Sequence, residues 1–159
     1  MADKRRTPYD TVMVSGGFDP VHIGHIRMIR EASQYGDVIV VANSDEWLYR
    51  KKGFNLMTFE HRAEILEAIK GVTVVSSVND SDGSVCEAIR RLNPTYFANG
   101  GDRNYGNTPE KELCEELGIE MLWGIGGEDK VAASSKLVES VRTSQRTEPI
   151  RYTHKHSER

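Results

Sequence analysis

The sequence predicts an α/β fold: a single doubly wound domain built on a five-stranded, mainly parallel sheet. Apolar, strand-like runs alternate along the chain with segments of helical period, and this alternation is typical of parallel strands joined by crossover helices. Glycine, proline and helix-capping residues mark most of the boundaries between the runs. A chain of 159 residues is also long enough to bury one core of this kind.

The first half of the chain is predicted to contain three strands and three helices. Uninterrupted Val/Ile runs predict buried strands, and Ser or Thr before an apolar-periodic run predicts a helix N-cap. The predicted strands are Thr11–Ser15, Val38–Ala42 and Val72–Val75. The predicted helices are one from about His22 to Tyr35, a short one at Glu46–Arg50 capped by Asn43-Ser44-Asp45, and one that Thr58 caps and Gly71 ends. Lys51–Met57 is predicted to be a loop.

The second half continues the alternation. A helix with Val85, Ile89 and Leu92 on one face stops at Asn93-Pro94, and a strand at Tyr96–Ala98 leads into the loop Asn99–Asn107. Thr108-Pro109 starts a helix that Gly118 ends, and Glu120–Trp123 is predicted to be the fifth strand. Gly124–Val131 is then a loop. Ser134 and Ser135 start a last helix through about Arg142. We expect a flexible N-terminal arm at 1–10, one Rossmann-like domain at 11–142 and a mobile polar tail at 143–159.

Charge and composition exclude several classes of function. The net charge of −3 supplies no basic excess for nucleic acid or for an anionic membrane surface. No apolar run approaches the ~20 residues that cross a bilayer, and the basic N-terminus lacks the apolar core of a signal peptide. Cys86 and Cys114 form no C-x-x-C pattern and lie on apolar helix faces, which predicts buried free thiols. We therefore expect a cytoplasmic protein.

The most informative segment is a glycine-rich turn between the first strand and the first helix, Ser15-Gly16-Gly17-Phe18-Asp19-Pro20-Val21-His22-Ile23-Gly24-His25. The adjacent glycines allow a tight turn whose backbone approaches a ligand closely, and the N–H groups and dipole of a helix N-terminus attract anions. His22 and His25 fall on one face of the first helical turn and flank Gly24, which leaves space for a flat base. This turn therefore predicts a nucleotide phosphate site.

Two other interpretations of the turn fit less well. A dinucleotide-binding dehydrogenase has the pattern G-x-G-x-x-G and an acidic residue about 20 residues later, whereas the glycines here are adjacent and two histidines intrude. A metal site would need a third ligand, and no spacing supplies one. Ligands of an open parallel sheet collect beyond the carboxyl ends of its strands, so Ser44-Asp45, Asn99–Arg103 and Gly124–Lys130 are expected to face the same crevice.

Four segments resemble motifs of one enzyme superfamily. The string Gly17–His25 resembles the H-x-G-H signature of the nucleotidyltransferases related to class I aminoacyl-tRNA synthetases. Phe59-Glu60-His61-Arg62 with Ile65-Leu66 is similar to the E-x-R helix of glycerol-3-phosphate cytidylyltransferases and heptose-1-phosphate adenylyltransferases. Asn99-Gly100-Gly101-Asp102 is similar to their G-G-D or G-D-D loop, and Ala133-Ser134-Ser135-Lys136-Leu137 to their Ser/Thr-rich start of the last helix. The four segments occur in the expected order over roughly Val12 to Val141.

The resemblance implies that an acceptor phosphate attacks the α-phosphorus of a nucleoside triphosphate and releases pyrophosphate, with Mg²⁺ carried mainly by the nucleotide phosphates and a homodimer as the assembly. It implies catalytic roles for His22, His25, Lys51, Lys52 and Arg62. It implies nucleotide contacts for Gly16, Gly17, Phe18, Asp19, Gly24, Gly101, Asp102, Lys130, Ser134 and Ser135. The non-catalytic alternatives are a solvated basic loop for the lysines, and for Arg62 a surface ion pair with Glu60 or Glu64.

The sequence departs from the cytidylyltransferase pattern in one segment. Those enzymes carry an arginine in R-T-E-G-I-S-T-T, whereas Gly124–Ser135 has none, and Lys130 cannot make the same bidentate fork. We expect CTP as the donor, with ATP as the alternative, and a small phosphorylated alcohol or sugar as the acceptor. A non-catalytic nucleotide sensor is the rival from another class. A tRNA-charging enzyme is disfavoured because the chain has no room for an anticodon-binding domain.

Overall fold

A computed structural model of the protein describes residues 8–100, 108–127 and 134–144. Within these ranges the chain forms five strands and six helices. The strands are β1 (Thr11–Gly16), β2 (Asp37–Ala42), β3 (Val72–Ser76), β4 (Tyr96–Gly100) and β5 (Glu120–Ile125). The helices are α1 (Ile23–Ala32), α2 (Asp45–Lys52), α3 (Phe59–Glu67), α4 (Cys86–Leu92), α5 (Pro109–Leu117) and α6 (Ser134–Ser144).

The strands form one sheet in the order β3-β2-β1-β4-β5, and all the paired strands run parallel. The chain starts in the middle of the sheet, moves outward to β3, and then returns to the other side of β1 for β4 and β5. The crevice of a doubly wound sheet lies where the chain reverses in this way, beyond the carboxyl ends of β1 and its neighbours. The predicted fold class is confirmed.

Two apolar cores cover the two faces of the sheet, because successive side chains of a strand point to opposite sides. Val12 and Val14 of β1 pack with Ile29 of α1 and Leu66 of α3 in one core. Met13, between the two valines, belongs to the other core, with α4 and α5. The three central strands are almost wholly buried, which explains why they read as continuous apolar runs in the sequence.

Capping residues set the helix N-termini as predicted. The hydroxyl groups of Ser44, Thr58 and Thr108 accept hydrogen bonds from backbone N–H groups in the first turns of α2, α3 and α5, at 3.1, 3.4 and 3.3 Å. Gly118 ends α5 in the left-handed conformation, with φ of 71°. These local patterns are strong enough to place a helix start to within one residue.

One boundary error concerns the end of α2. The predicted loop Lys51–Met57 was wrong at its start, because Lys51 and Lys52 form the last turn of the helix. Gly53 ends α2 in the left-handed conformation, and its N–H donates to Tyr49 O at 2.7 Å. Basic side chains in a last turn also interact favourably with the helix dipole, which helps the helix to continue to the glycine.

Boundary errors also occur at the ends of α1, α3 and α6. α3 ends at Glu67, before the predicted stop at Gly71, and α1 ends at Ala32 rather than Tyr35. α6 begins at Ser134, as predicted, and continues to Ser144, past its predicted end at Arg142. In the described part of the chain, no helix is long and apolar enough to span a membrane.

Both cysteines are buried free thiols, as predicted. Burial, together with the nearby Cys86 thiol, raises the pKa of Cys114 to about 11. Ionisation of this thiol therefore opposes folding, and stability from this source is full below the ordinary pKa of 9.0 and declines as the pH rises toward 11.

We expect neither thiol to react with a disulfide reagent in the native protein at pH 8, because both are buried and, at Cys114, the raised pKa also disfavours the reactive thiolate. In urea, both thiols are expected to react at the rate of a free cysteine. Absorbance of the released thiol measures both rates. Rapid labelling of the folded protein at Cys114 would disprove this account of its surroundings.

Candidate active site

The crevice lies where β1 and β2 end side by side. Gly16, the last residue of β1, is paired in register with Ala42, the last residue of β2. Beyond them, Asn43 N–H donates to Gly16 O at 2.9 Å, so the two turns that follow the strands are hydrogen-bonded to each other. The glycine-rich turn and the start of α2 are thus neighbours, although about one helix and one strand separate them in the chain.

His22 and His25 form a stacked pair at the start of α1. Their ring centroids are 3.8 Å apart and the ring planes differ by 22°. His22 Nδ1 accepts from Gly24 N–H at 3.1 Å, and His25 Nδ1 accepts from His22 N–H at 3.1 Å. The two imidazoles therefore cap their own helix, a task that Ser, Asp or Glu side chains usually perform.

These hydrogen bonds decide which ring nitrogen carries the proton. A ring nitrogen that accepts a hydrogen bond has no proton of its own, so in the neutral ring the proton is on Nε2. Both rings consequently offer Nε2–H as a donor, in a stacked pair at the positive end of a helix. Such a pair is suited to the oxygen atoms of an anion.

The residues before the histidines pack closely and set the path of the turn. A Cβ atom on Gly17 would lie 2.7 Å from a methyl carbon of the fully buried Leu48, so a larger residue does not fit without a shift. Phe18 has φ of 53°, in the left-handed region, and is buried. Its ring packs edge-on against that of His25, with centroids 4.7 Å apart, and so helps to hold His25 in place.

Arg62 is completely buried and donates to four protein oxygen atoms. Its Nε bonds to Met57 O at 3.2 Å, its Nη1 to Gly17 O at 2.7 Å and Asn43 O at 2.8 Å, and its Nη2 to Asp45 Oδ1 at 2.8 Å. One guanidinium group thereby joins the turn after β1, the turn after β2, the start of α2 and the loop before α3. Its planar, forked donors suit such a set of acceptors.

This position excludes the surface alternative for Arg62. The guanidinium group is fully buried, and its ion pair is with Asp45 rather than with Glu60 or Glu64. The physical reason is that the two turns leave carbonyl oxygens at the buried end of the sheet, and buried carbonyls need donors. A direct contact between Arg62 and a bound phosphate stays a prediction.

Asp19, in the glycine-rich turn, also holds two segments of the chain together. Its carboxyl group is fully buried, and its oxygens accept from Leu56 N–H at 2.7 Å and Met57 N–H at 2.9 Å. Lys52 Nζ donates to the backbone oxygen of Asp19 at 3.0 Å. The carboxylate therefore holds the loop between α2 and α3 against the glycine-rich turn, and its expected contact with a nucleotide stays a prediction.

The two lysines of α2 lie close to this turn. Lys52 reaches it through the hydrogen bond to Asp19. Lys51 Nζ lies 4.6 Å from the ring centroid of Trp47, one helical turn earlier, in cation–π geometry. The ring of Trp47 in turn lies 3.9 Å from the place where Gly17 would carry a Cβ atom. The structure thus brings Lys52 to the glycine-rich turn directly and Lys51 to it through Trp47.

Asp80 also belongs to this region, although no sequence pattern singles it out. It is buried in the loop between β3 and α4, and its Oδ2 accepts from Asn43 Nδ2 at 3.1 Å and Ser44 N–H at 2.9 Å. Its Oδ1 accepts from Ser44 Oγ at 2.6 Å. In the sequence it stands among the turn-forming residues Asn79-Asp80-Ser81-Asp82-Gly83. Its position after the third strand was the one available signal.

Gly101, Asp102 and Lys130 lie outside the described residues. Ser134 and Ser135 are the first two residues of α6, as predicted. Across residues 8–100, 108–127 and 134–144, no group of three or more His, Cys, Asp or Glu side chains is arranged to hold a metal ion.

The donor chemistry of the crevice suits phosphate better than it suits a bare metal ion. The Nε2–H groups of the histidine pair and the ammonium groups of α2 donate hydrogen bonds, whereas Mg²⁺ requires oxygen ligands. The Asp19 and Asp80 carboxylates are buried and bonded to the chain. Asp45, whose Oδ1 accepts from Arg62, is partly exposed at the edge of the crevice. A magnesium ion fits here as part of a metal–triphosphate complex.

Comparison with known proteins agrees with this chemistry. The family model described as cytidylyltransferase-like matches residues 13–153. The FAD synthase of Pyrococcus abyssi (strain GE5 / Orsay) is 34% identical over 123 residues, which are 76% of this chain and 80% of that protein. The FAD synthase of Thermococcus onnurineus (strain NA1) is 32% identical over 120 residues, covering 74% of this chain and 79% of that protein.

A longer relative and a solved structure extend the comparison. The bifunctional protein HldE of Desulfatibacillum aliphaticivorans is 28% identical over 146 residues, but these are 89% of this chain and 29% of HldE. The crystal structure of the lipopolysaccharide core biosynthesis protein from Thermoplasma volcanium GSS1 shares the fold, with a TM-score of 0.60, 22% identity, and coverage of 72% of this chain and 94% of that one. The chain belongs to the cytidylyltransferase-like family and is a nucleotidyltransferase.

Proposed function

We propose that the protein transfers a nucleotidyl group from a nucleoside triphosphate to a small phosphorylated acceptor and releases pyrophosphate. The observation that carries this proposal is the stacked His22–His25 pair at the start of α1, with both Nδ1 atoms accepting backbone N–H groups. Two Nε2–H donors and a helix N-terminus then act on the same anion.

The reaction requires no covalent intermediate on the protein. An oxygen of the acceptor phosphate forms a bond to the α-phosphorus, and the bond between that phosphorus and the β-phosphate oxygen breaks, so pyrophosphate leaves with the electron pair. Negative charge increases on the triphosphate oxygens as the bond breaks. His22 and His25 donate to those oxygens more strongly in the transition state than in the ground state, and this difference accelerates the reaction.

Other residues bind and orient the substrates. Lys51 and Lys52 supply positive charge next to the glycine-rich turn, where the triphosphate and the acceptor phosphate would approach each other. Gly16, Gly17, Phe18 and Gly24 form the turn that faces the nucleotide. Mg²⁺, when bound with the triphosphate, neutralises part of its charge, and Asp45 is the carboxylate that we expect nearest to it.

The base of the donor nucleotide and the identity of the acceptor are proposed from the relatives. Relatives named FAD synthase favour ATP and a flavin phosphate, because FAD contains an adenylyl group joined to a phosphorylated flavin. The resemblance to glycerol-3-phosphate cytidylyltransferases and the name of the family model favour CTP. We place ATP first, since the FAD synthases match most of both chains, and keep CTP as the alternative. The homodimer stays a prediction that a mass measurement in solution would test.

Pyrophosphate release tests the proposal directly. The full chain with MgCl₂ is incubated with ATP, CTP, GTP or UTP, each with FMN, glycerol 3-phosphate or a sugar 1-phosphate. Inorganic pyrophosphatase converts the released pyrophosphate to phosphate, which is then measured. We expect release with ATP and FMN that depends on both, because each substrate supplies one of the reacting phosphates.

The pattern across the substrates separates the candidates. Release with CTP and glycerol 3-phosphate, but not with ATP, would reverse the order of the two donors. Tight binding of a nucleotide with no pyrophosphate from any acceptor would indicate a sensor instead of an enzyme. Removal of Mg²⁺ with EDTA is expected to abolish pyrophosphate release with either ATP or CTP as the donor.

A further inference from the structure

Asp80 ties down the N-terminal end of α2. Its carboxylate occupies the positive end of the helix and accepts from the backbone and the hydroxyl of Ser44. The Ser44 hydroxyl is itself the N-cap of α2 and accepts from Trp47 N–H at 3.1 Å. The direction in which α2 leaves the sheet therefore depends on a carboxylate that belongs to another loop.

The same loop also ties down the other half of α2. Arg50 Nη2 donates to the backbone oxygen of Asp80 at 3.1 Å, and its Nη1 donates to Ser81 O at 3.2 Å. A helix of eight residues is thus attached near both of its ends to one short segment of chain. Rotation or sliding of α2 would break these bonds together.

The position of α2 matters because of what the helix carries. Lys51 and Lys52 are its last two residues, and Trp47 lies between the cation of Lys51 and the glycine-rich turn. Lys52 reaches the turn through a hydrogen bond from its ammonium group to the backbone oxygen of Asp19. A small displacement of α2 would move both ammonium groups relative to the histidine pair, and misplacement by about 1 Å costs as much as 10²-fold in rate.

We propose that Asp80 is a positioning residue for nucleotidyl transfer: it holds α2 so that Lys51 and Lys52 meet the nucleotide. The proposal rests on the function proposed above. Asp80 touches no substrate in this account, because it is buried and its oxygens are bonded to Asn43 and Ser44. Its effect on the reaction therefore passes through the two lysines.

A double-mutant cycle tests that route. Affinity for MgATP and for MgCTP is measured by titration calorimetry on the full chain, well below the melting temperature of every variant. Asp80→Ala is expected to weaken the tighter of the two complexes at least tenfold. In a Lys51→Ala/Lys52→Ala background, the same substitution is expected to cost less than a further twofold, because the groups that it positions are gone. Equal losses in both backgrounds would overturn the proposal.

Two further variants separate positioning from a general loss of stability. Asp80→Asn keeps an amide oxygen that can accept from Ser44 N–H and Asn43, so it is expected to recover most of the affinity. Asp82→Ala is the matched control, since this neighbouring carboxylate is exposed and accepts from Ser84 within its own loop. We expect Asp82→Ala to bind like the parent protein. A folded Asp80→Ala protein that binds within twofold of the parent would also overturn the proposal.

A spectroscopic readout needs no nucleotide. Trp47 and Trp123 are the two tryptophans of the chain, so a Trp123→Phe background leaves Trp47 as the reporter of α2. Asp80→Ala is expected to shift its emission to longer wavelength and to increase its quenching by iodide, and an unchanged spectrum would count against positioning. If the parent protein binds neither MgATP nor MgCTP, the proposed function fails, and the Trp47 spectrum still decides whether Asp80 holds α2.

Discussion

Substitution of His25 by alanine is expected to lower the rate of pyrophosphate release by about 10²–10³, the usual effect of losing one preorganised donor to a developing anion. His22→Ala is expected to act on the same scale. The His25→Ala substitution removes an Nε2–H donor and also the Nδ1 acceptor for His22 N–H in the first turn of α1. Steady-state rates at saturating nucleotide, measured with the acceptor that supports turnover, give the loss.

The effect should appear mainly in kcat, because the donors act most strongly on charge that develops during the reaction. His25→Gln is expected to be less impaired than His25→Ala, since its amide still supplies an N–H donor. His61→Ala on α3 is the matched control, because this histidine is exposed and lies outside the histidine pair. Full turnover by a folded His25→Ala protein would refute the proposed role of the pair.

Substitution of Arg62 by methionine is expected to destabilise the protein by about 3–5 kcal/mol, because three backbone oxygens each lose a buried donor at about 1–3 kcal/mol. Methionine fills much of the space but donates nothing. The backbone oxygens of Met57, Gly17 and Asn43 then lose a buried donor, and the partly exposed Asp45 loses its ion-pair partner. Urea unfolding followed by circular dichroism measures the change in the free energy of unfolding.

Two variants sharpen this test. Arg62→Lys is expected to fall between the parent and Arg62→Met, because an ammonium group has three donors and no fork. Arg91→Met is the control for the loss of an arginine as such. Arg91 pairs with Glu87 four residues earlier, and both side chains are more than a third exposed, so a cost of about 1 kcal/mol or less is expected. A cost for Arg62→Met no larger than that of the control would contradict the buried network.

Local patterns in the sequence were sufficient for most of the scaffold. Buried parallel strands appear as apolar runs, and Ser44, Thr58 and Thr108 act as N-caps within their own segments, so no distant residue is needed to recognise them. α2 was predicted too short because its last turn carries three cations in a row. Only the left-handed glycine that follows shows that these residues still belong to the helix.

The candidate site divides along the same line. The pairing of His22 and His25 follows from their spacing on one helical turn, and the structure confirms it. Their tautomers do not follow from spacing, because each depends on which backbone N–H reaches Nδ1. Asp19 and Arg62 both bind other segments of the protein, which the sequence did not indicate, and their expected contacts with the nucleotide stay predictions.

The sequence alone determined the parallel α/β architecture, the glycine-rich turn and the histidine pair, since these depend on neighbours within a few residues. Tertiary structure alone decided which charged groups are buried. Three of the four oxygens to which Arg62 donates lie 17 to 45 residues away, and Asp80 accepts from Ser44, 36 residues away. Whether a charge meets water or a buried partner depends on segments that only folding brings together, and no local pattern encodes that choice.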